Sequence, residues 1–215
     1  MNLRLFPLQT VLFPAMRMPL HIFEERYRTM IRACIEEDAP FGVVLIREGA
    51  EIGGGAIPHN TGTTARITQV EYLEDGRMNI FSIGAQRFRI SKINTDRDYL
   101  TGEVEIIEQQ EPTDAAHALM PKAQELFNDY LKTYLAIGGQ WTRGVTLPGD
   151  PAEAADYIAA RTDTMAEIKQ RWLEELSPES RLAQELEVIG GALPEMRVRL
   201  AARLHQKTSG FAVLN

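Results

Sequence analysis

The pattern of apolar and polar positions gives the first half of the chain a strand-like periodicity. Residues 41–46 form a short apolar run rich in β-branched side chains, which is typical of a strand buried on both faces. Ala65 and Ile67 alternate with polar neighbours, and the alternation then changes phase, which indicates a β-bulge. Asp75-Gly76 predicts a hairpin turn after this strand. Period-two alternation predicts further strands at 78–83, 88–90 and 104–106.

One helix is predicted inside this strand-rich half. Five apolar residues recur there at helical spacing and form a single stripe: Phe23, Tyr27, Met30, Ile31 and Cys34. The stripe lies between Pro19 and Pro40, which confine the helix to the segment between them.

Residues 112–207 have the periodicity of amphipathic helices. Asp150-Pro151 and Ser177-Pro178 are typical helix starts, with a capping side chain followed by proline. Pro121 predicts a kink or a later start in the first of these helices. The segment 190–194, with two glycines and a proline, predicts a break or bend before a last helix around Glu195–His205. We therefore predict two domains, a strand-rich one at 1–110 and a helical one at 111–215.

Composition narrows the possible classes of protein. The chain has 215 residues, of which 44% are apolar and 25% charged, as in an ordinary globular protein. No apolar run approaches the roughly 20 residues that a membrane-spanning helix needs, so we expect no membrane partner. The net charge is −7 and both halves are acidic, which disfavours nucleic acid as a partner. Cys34 is the single cysteine, so no internal disulfide can form, and we expect a cytoplasmic protein.

Several short motifs, in order along the chain, resemble one known family. Near the start they are Leu5–Pro14, Met18–Tyr27 and Pro40–Ile46, and further on Gly62–Ile67, Gly84–Ile90, Lys169–Glu174 and Ser180–Leu182. This series resembles the substrate-binding (N-terminal) domain of the Lon protease family. The resemblance implies an α+β fold: a PUA-like, mainly antiparallel β-barrel with an inserted helix, followed by a C-terminal helical bundle.

A full Lon protease continues into an ATPase module and a Ser–Lys protease module. No Gly-x-x-x-x-Gly-Lys-Ser/Thr motif occurs in this sequence, so no P-loop is present to hold phosphate. We therefore expect a stand-alone recognition module that is not an enzyme and uses no cofactor. The leading hypothesis is that the protein binds unfolded or tagged polypeptide through apolar surface near the junction of barrel and helices. An extended segment could also add to an open edge of the barrel. A protease or a chaperone is the expected partner, and the chain is expected to be a monomer or a weak homodimer.

Two features of the sequence suit a polypeptide-binding surface. Met16, Arg17 and Met18 lie between two prolines, and methionine side chains adapt to varied apolar ligands. Trp141 lies in a glycine-rich loop, where a large aromatic side chain is unusual unless it packs or binds. The alternative for all four residues is that they cover the interface between barrel and helices.

Three arginines provide an alternative, RNA-binding hypothesis. Arg87 and Arg89 alternate along one strand, and Arg77 is expected near them across the sheet. A cluster of exposed arginines could contact phosphates. Equally, such arginines can pair with acids such as Glu103 and Glu105 and serve solubility.

A third hypothesis, a small enzyme of unrecognised type, has less support. The four histidines are isolated in sequence, which does not favour a metal site. Cys34 falls on the apolar stripe of the predicted helix and is interpreted as a buried structural thiol. Gly53-Gly54-Gly55 is interpreted as a surface loop, and Glu36-Glu37-Asp38 as a solvated helix end. An enzyme would need a deep pocket with at least two convergent ionisable groups.

Overall fold

The structure is a computed structural model that describes residues 1–53 and 55–211. Gly54, in the predicted glycine loop, lies outside the described residues. The chain divides into two compact units, one formed by 1–110 and 159–176, the other by 111–158 and 177–215. The predicted domains split the chain once, after residue 110, whereas the segment 159–176 packs with the strand-rich unit.

The first unit is built on a mixed six-stranded sheet with the strand order β2-β5-β4-β3-β1-β6. β1 pairs with β3 in parallel and the other pairs are antiparallel. β6 also pairs with β5, so the pairing returns to a strand already in the sheet. The strands are β1 Asn2–Leu8, β2 Arg17–Ile22, β3 Phe41–Glu48, β4 Ile57–Tyr72, β5 Met78–Asn94 and β6 Thr101–Ile106.

The β4–β5 hairpin confirms the predicted turn and bulge. The Leu73 N–H donates to the Arg77 carbonyl at 2.9 Å, and Gly76 lies between them with φ +79°, a conformation that glycine adopts without strain. The register shifts between Ile67 and Gln69, where the sequence alternation changes phase. The prediction of separate strands at 78–83 and 88–90 was wrong, because β5 is continuous through both. Register shifts in its pairing with β4 absorb the irregular alternation.

Helix α1 (Glu25–Glu36) packs its apolar stripe against the sheet. Tyr27, Met30, Ile31 and Cys34 are buried as predicted, and the Tyr27 ring stacks on Phe6 with 4.1 Å between centroids. Phe23 does not belong to this stripe. It precedes the helix and stays largely exposed, because the helix begins only after Glu24.

The described helices of the second half are α2 Asp114–Ile137, α3 Pro151–Arg161, α4 Ala166–Glu174 and α5 Pro178–Phe211. The predicted start of α3 is confirmed, because Asp150 Oδ1 accepts from the Ala152 and Glu153 N–H groups at 2.8 and 3.0 Å. α2 starts before Pro121 rather than after it, with Thr113 as its capping residue. α5 is not broken at 190–194, since Ile189 and Leu193 are buried in the core of the helical unit. Tertiary burial outweighs the local helix-breaking tendency there.

Candidate functional site

Strands β2, β5 and β4 present one face to the core of the first unit and the other face to the surface. On β5, Ile80 and Ser82 point inward and are buried, while Phe81 points outward between them. Directly opposed residues on neighbouring strands share a face, so the register defines the exposed surface. We call it the outer platform, and its residues are Arg17, Pro19, His21, Arg66, Gln69, Glu71, Asn79, Phe81 and Ile83.

Phe81 lies at the centre of the outer platform. It is opposite Pro19 on β2 and Gln69 on β4, and 46% of its surface is exposed. The next outward residue along β5, Ile83, is half-buried. A phenylalanine held in a regular strand with nearly half of its surface in water is a ready contact for an apolar ligand.

Two arginines border the apolar part of the outer platform. Arg17 and Arg66 are exposed and lie opposite Ile83, one on each side. Since neighbouring strands are about 4.8 Å apart, the two arginine α-carbons are separated by roughly 10 Å. Neither guanidinium forms an ion pair within the described part of the chain. Both charges are therefore available to a ligand.

A polar row closes the other end of the outer platform. His21 Nδ1 lies 2.7 Å from Asn79 Oδ1, and Asn79 Nδ2 donates to Glu71 Oε2 at 2.9 Å. The His21 ring also stacks against Phe23, with 6.0 Å between centroids. These contacts fix the orientation of the Asn79 amide and extend the apolar surface to a second exposed aromatic ring.

A close backbone contact with Gly84 on β5 fixes the position of residues 13–16, which lead into β2. A Cβ on Gly84 would come within 2.2 Å of the Phe13 carbonyl oxygen, so only glycine fits there. The Gly84 N–H donates to the Met16 carbonyl at 3.0 Å, and the Ala15 N–H donates to the Gly84 carbonyl at 2.8 Å. The glycine that opens the Gly84–Ile90 motif thereby sets the register of the strand that carries Arg17 and Pro19.

The predicted polypeptide-binding residues fall in different environments. Arg17 lies on the outer platform, Met16 is half-buried, and Met18 is 5% exposed and part of the core. Trp141 belongs to the second unit, in the loop after α2, and is 77% exposed. Of the four, Arg17 and Trp141 have surfaces that a ligand can reach.

The three arginines of the RNA hypothesis are not brought together. Arg87 is 2% exposed, and its Nε donates to the Leu173 carbonyl at 3.0 Å. Arg77 lies in the hairpin turn, where its Nε is 2.5 Å from Asp75 Oδ2. Arg89 is exposed on β5, opposite Glu105 on β6 and twelve residues from Arg77. Twelve strand residues span about 40 Å.

Two of the sequence motifs meet in the contact between Arg87 and α4. Arg87 comes from the Gly84–Ile90 motif, and Leu173 from the Lys169–Glu174 motif. In the same region, Gln170 Nε2 donates to the Thr61 carbonyl at 3.1 Å and to Glu174 Oε1 at 2.7 Å. These buried hydrogen bonds hold α4 on the sheet, which explains why the segment 159–176 belongs to the strand-rich unit.

Two surface concavities lie beside the outer platform. A groove of about 290 Å³ runs between β4 and the end of α1, with Ile35, Arg66, Ile67 and Val70 in its walls. A cleft of about 170 Å³ lies along β2 and is lined mainly by apolar residues, among them Leu20, Phe23, Tyr27 and Ile52. Both are open to the surface, and the cleft adds apolar contact area close to Phe23.

The environment of a side chain in the fold decides whether it can act as a nucleophile or bind a metal ion. Cys34 is buried as interpreted, and burial raises the pKa of its thiol, which keeps it protonated and unreactive near neutral pH. No cluster of three or more metal-ligating side chains occurs in 1–53 and 55–211. Over the same residues, every helix is too short or too polar to cross a bilayer.

The sequence analysis did not identify Phe81, Arg66 or Pro19 as site residues. A signal was present: in Met78-Asn79-Ile80-Phe81-Ser82-Ile83 both alternating sets contain apolar residues. A strand with one buried face needs apolar residues at every second position only. Apolar residues at the remaining positions, here Phe81 and Ile83, indicate either a strand buried on both faces or an exposed apolar surface. The sequence did not show which of the two holds.

Solved structures of similar fold come from bacterial Lon proteins. A crystal structure of a Lon N-terminal domain protein from Xanthomonas campestris is 26% identical, with a TM-score of 0.65, over 87% of this chain and 98% of that one. The N-terminal domain of Mycobacterium avium complex Lon protease shares the fold at 19% identity, with a TM-score of 0.68, over 88% of this chain and 98% of that one. The predicted α+β class is thereby confirmed, with a mixed sheet and helices.

Sequence comparison leads to the same family. Lon protease 1 of Hydrogenovibrio crunogenus is 27% identical over 92% of this chain, and Lon protease of Anaeromyxobacter dehalogenans is 25% identical over 87%. The matches cover 25% and 23% of those relatives, so this chain spans about a quarter of their length. The family described as ATP-dependent protease La (LON) substrate-binding domain matches residues 2–190. The chain therefore belongs to the family of Lon substrate-binding domains.

Proposed function

We propose that this protein recognises polypeptide segments and holds their apolar side chains on the outer platform. The observation that carries the proposal is the position of Phe81, 46% exposed at the centre of a three-stranded face. Membership in the substrate-binding family of Lon supports it, because recognition is the role that this family is named for.

The outer platform suits weak, sequence-tolerant binding. Covering ~100 Å² of apolar surface on Phe81 and its neighbours contributes roughly 2.5 kcal/mol, whereas a millimolar complex needs about 4 kcal/mol. A second contact is required, and Phe23 with the adjoining cleft provides it. Any segment with two apolar side chains at suitable spacing meets this requirement, so no particular sequence is needed.

The backbone of β2 favours contact through side chains over strand addition at this edge. The Met16 carbonyl faces Gly84 on β5, so alternation directs the backbone groups of Arg17, Pro19 and His21 to the open edge. Proline has no N–H, so an added strand would lack a hydrogen bond at the middle of the edge. We therefore modify the hypothesis of edge addition and place the ligand on the face of the sheet.

We further propose, first, that the protein acts by binding and does not catalyse a reaction. We propose, second, that it acts in the cytoplasm together with a protease or a chaperone. The burial of the Cys34 thiol supports the first part, as does the finding that residues 1–53 and 55–211 contain no cluster of three or more metal-ligating side chains. RNA binding through Arg77, Arg87 and Arg89 is not favoured, because Arg87 is engaged inside the fold. Trp141 remains a candidate for a separate contact in the second unit.

Substitution of Phe81 tests the proposal. Binding of a fluorescent, permanently unfolded polypeptide, reduced and alkylated, is measured by anisotropy for the unaltered protein and for Phe81→Ala, Ile57→Ala and Trp141→Ala. Ile57 is a matched control, because it is 44% exposed and lies on β4 outside the outer platform. We expect Phe81→Ala to weaken binding about tenfold, in line with the loss of an aromatic contact residue.

The control is expected to change binding less than about twofold. Absence of binding by the unaltered protein at millimolar concentration would contradict the proposal. Loss of binding in Trp141→Ala with normal binding in Phe81→Ala would move the site to the second unit.

A further inference from the structure

We propose that the outer platform selects its ligands by charge and prefers polypeptide segments in which a carboxylate lies next to an apolar side chain. This inference rests on the proposed function and specifies its class of ligand. It is carried by Arg17 and Arg66, which lie on either side of Ile83, next to Phe81 along the same strand.

The geometry allows both arginines to act on one bound segment. An apolar ligand side chain over Phe81 and Ile83 places its neighbouring residue within reach of a guanidinium on each side. Guanidinium groups bind carboxylates with two parallel hydrogen bonds, which adds direction to the charge attraction. Pro19 and Gln69, the neighbours of Phe81, carry no charge that would oppose this arrangement.

Neither Arg17 nor Arg66 is paired with a carboxylate among the described residues. Arg66 shares the groove beside β4 with Asp38, yet the two side chains do not form an ion pair. Glu71 lies two rows away, at about 13 Å along the strands, and is engaged by Asn79. That separation exceeds the Debye length of about 8 Å at physiological ionic strength. His21 lies in the same row as Glu71, at the far end of the outer platform from the two arginines.

The unpaired arginines Arg17 and Arg66 contrast with the acidic character of the whole protein. The chain carries a net charge of −7, and arginines such as Arg4, Arg26 and Arg77 are each paired with a carboxylate. A lysine-rich segment would be repelled by Arg17 and Arg66 at the outer platform. The residues opposite Phe81, Pro19 and Gln69, provide no carboxylate to offset this repulsion. An acidic segment would be repelled by the protein at long range and attracted at this one surface, so selection there is local.

Three labelled eleven-residue peptides test the inference. They share a central Phe-Leu-Phe and differ in their flanking polar residues, which are aspartate, asparagine or lysine. Anisotropy titrations at 50 mM and 500 mM salt use the unaltered protein, the variant Arg17→Glu/Arg66→Glu, and a control with the same change of charge, Arg89→Glu/Arg199→Glu. Arg89 and Arg199 are exposed and lie outside the outer platform.

At low salt we expect the aspartate peptide to bind roughly fivefold more tightly than the asparagine peptide, and the lysine peptide to bind most weakly. The preference should fall below about twofold at 500 mM salt, because screening shortens the range of the charges. The order should reverse in Arg17→Glu/Arg66→Glu and persist in the control.

Equal binding of the three peptides, or an unchanged order in the double variant, would overturn the inference and leave the proposed function in place. A preference that disappears equally in the control variant would also overturn it, because net charge would then explain the effect. If none of the peptides binds while the unfolded polypeptide also fails to bind, both the inference and the proposed function are wrong.

Discussion

The two units of this protein hold arginines in contrasting environments. The strand-rich unit places Arg17 and Arg66 on its surface without ion-pair partners among the described residues. The helical unit buries Arg181 completely, with Nη1 3.3 Å from Asp156 Oδ1 and Nε 3.9 Å from Glu185 Oε1. An exposed, unpaired arginine can serve a ligand, whereas a buried one is committed to the fold. The comparison is consistent with the proposed recognition at the sheet face and with a structural role for the buried arginine.

The largest expected effect comes from removing the buried arginine of the helical unit. Arg181→Met would leave the carboxylates of Asp156 and Glu185 in the interior without their cation, and we expect a loss of about 3–5 kcal/mol in the free energy of unfolding. Urea denaturation followed by circular dichroism measures it. Arg197→Met removes an exposed pair with Asp129 and should cost less than about 1 kcal/mol. If both variants lost a similar free energy of unfolding, the buried ion pair would be no more important for stability than the exposed one.

A smaller loss is expected for the buried arginine of the strand-rich unit. Arg87→Met removes the donor to the Leu173 carbonyl inside the fold, which should lower the free energy of unfolding by roughly 2 kcal/mol. Arg89→Met, two residues along the same strand and exposed, should change it by less than about 0.5 kcal/mol. Urea denaturation separates the two. A neutral Arg87→Met would contradict the structural role and reopen the RNA hypothesis for this residue.

The cap of α3 should have a still smaller effect. Asp150→Ala removes the acceptor of the Ala152 and Glu153 N–H groups, and we expect a loss of about 1 kcal/mol. Glu153→Ala, in the same turn, keeps the cap and should cost only a few tenths of a kcal/mol. Thermal unfolding by calorimetry compares the two. Equal shifts in melting temperature would mean that the charge near the helix start, rather than the hydrogen bonds, stabilises it.

The smallest change in stability is expected for the exposed tryptophan. Trp141→Ala alters a side chain that is 77% exposed, so the free energy of unfolding should change by less than about 0.5 kcal/mol. The same denaturation assay measures it, with the buried Trp172 as a contrast: Trp172→Ala should cost about 3–5 kcal/mol. A large loss in Trp141→Ala would mean that the side chain packs, as the alternative interpretation of the sequence held.

The elements were more predictable than the site. Helical spacing located α1, and Asp75-Gly76 with the phase change after Ile67 located a hairpin and its bulge. These signals are local, because turn chemistry and side-chain periodicity act over a few residues. The later start that Pro121 suggested for α2 is wrong, because the helix around it is stabilised by burial against α5 residues such as Ile189 that lie far away in sequence.

The candidate site was only partly predictable for a related reason. Arg17 was identified from its proline-bounded segment, but its neighbours on the outer platform, Ile83 and Arg66, come from two other strands. Arg87 and Arg89 share a parity along β5, yet one is buried beneath α4 and the other is exposed. Alternation along the strand places both side chains on the same face of the sheet. Arg87 is buried only because α4 packs over its part of that face.

By itself, the sequence determined the class of fold, the hairpin, the start of α3 and the family, because these follow from local conformational preferences and from ordered motifs. On the strands of the outer platform, only the tertiary structure decided which apolar and charged residues stay in water. Phe81 is exposed and Arg87 buried because of which elements pack over each part of β5. Burial depends on contacts between residues distant in sequence, and no local pattern encodes those contacts.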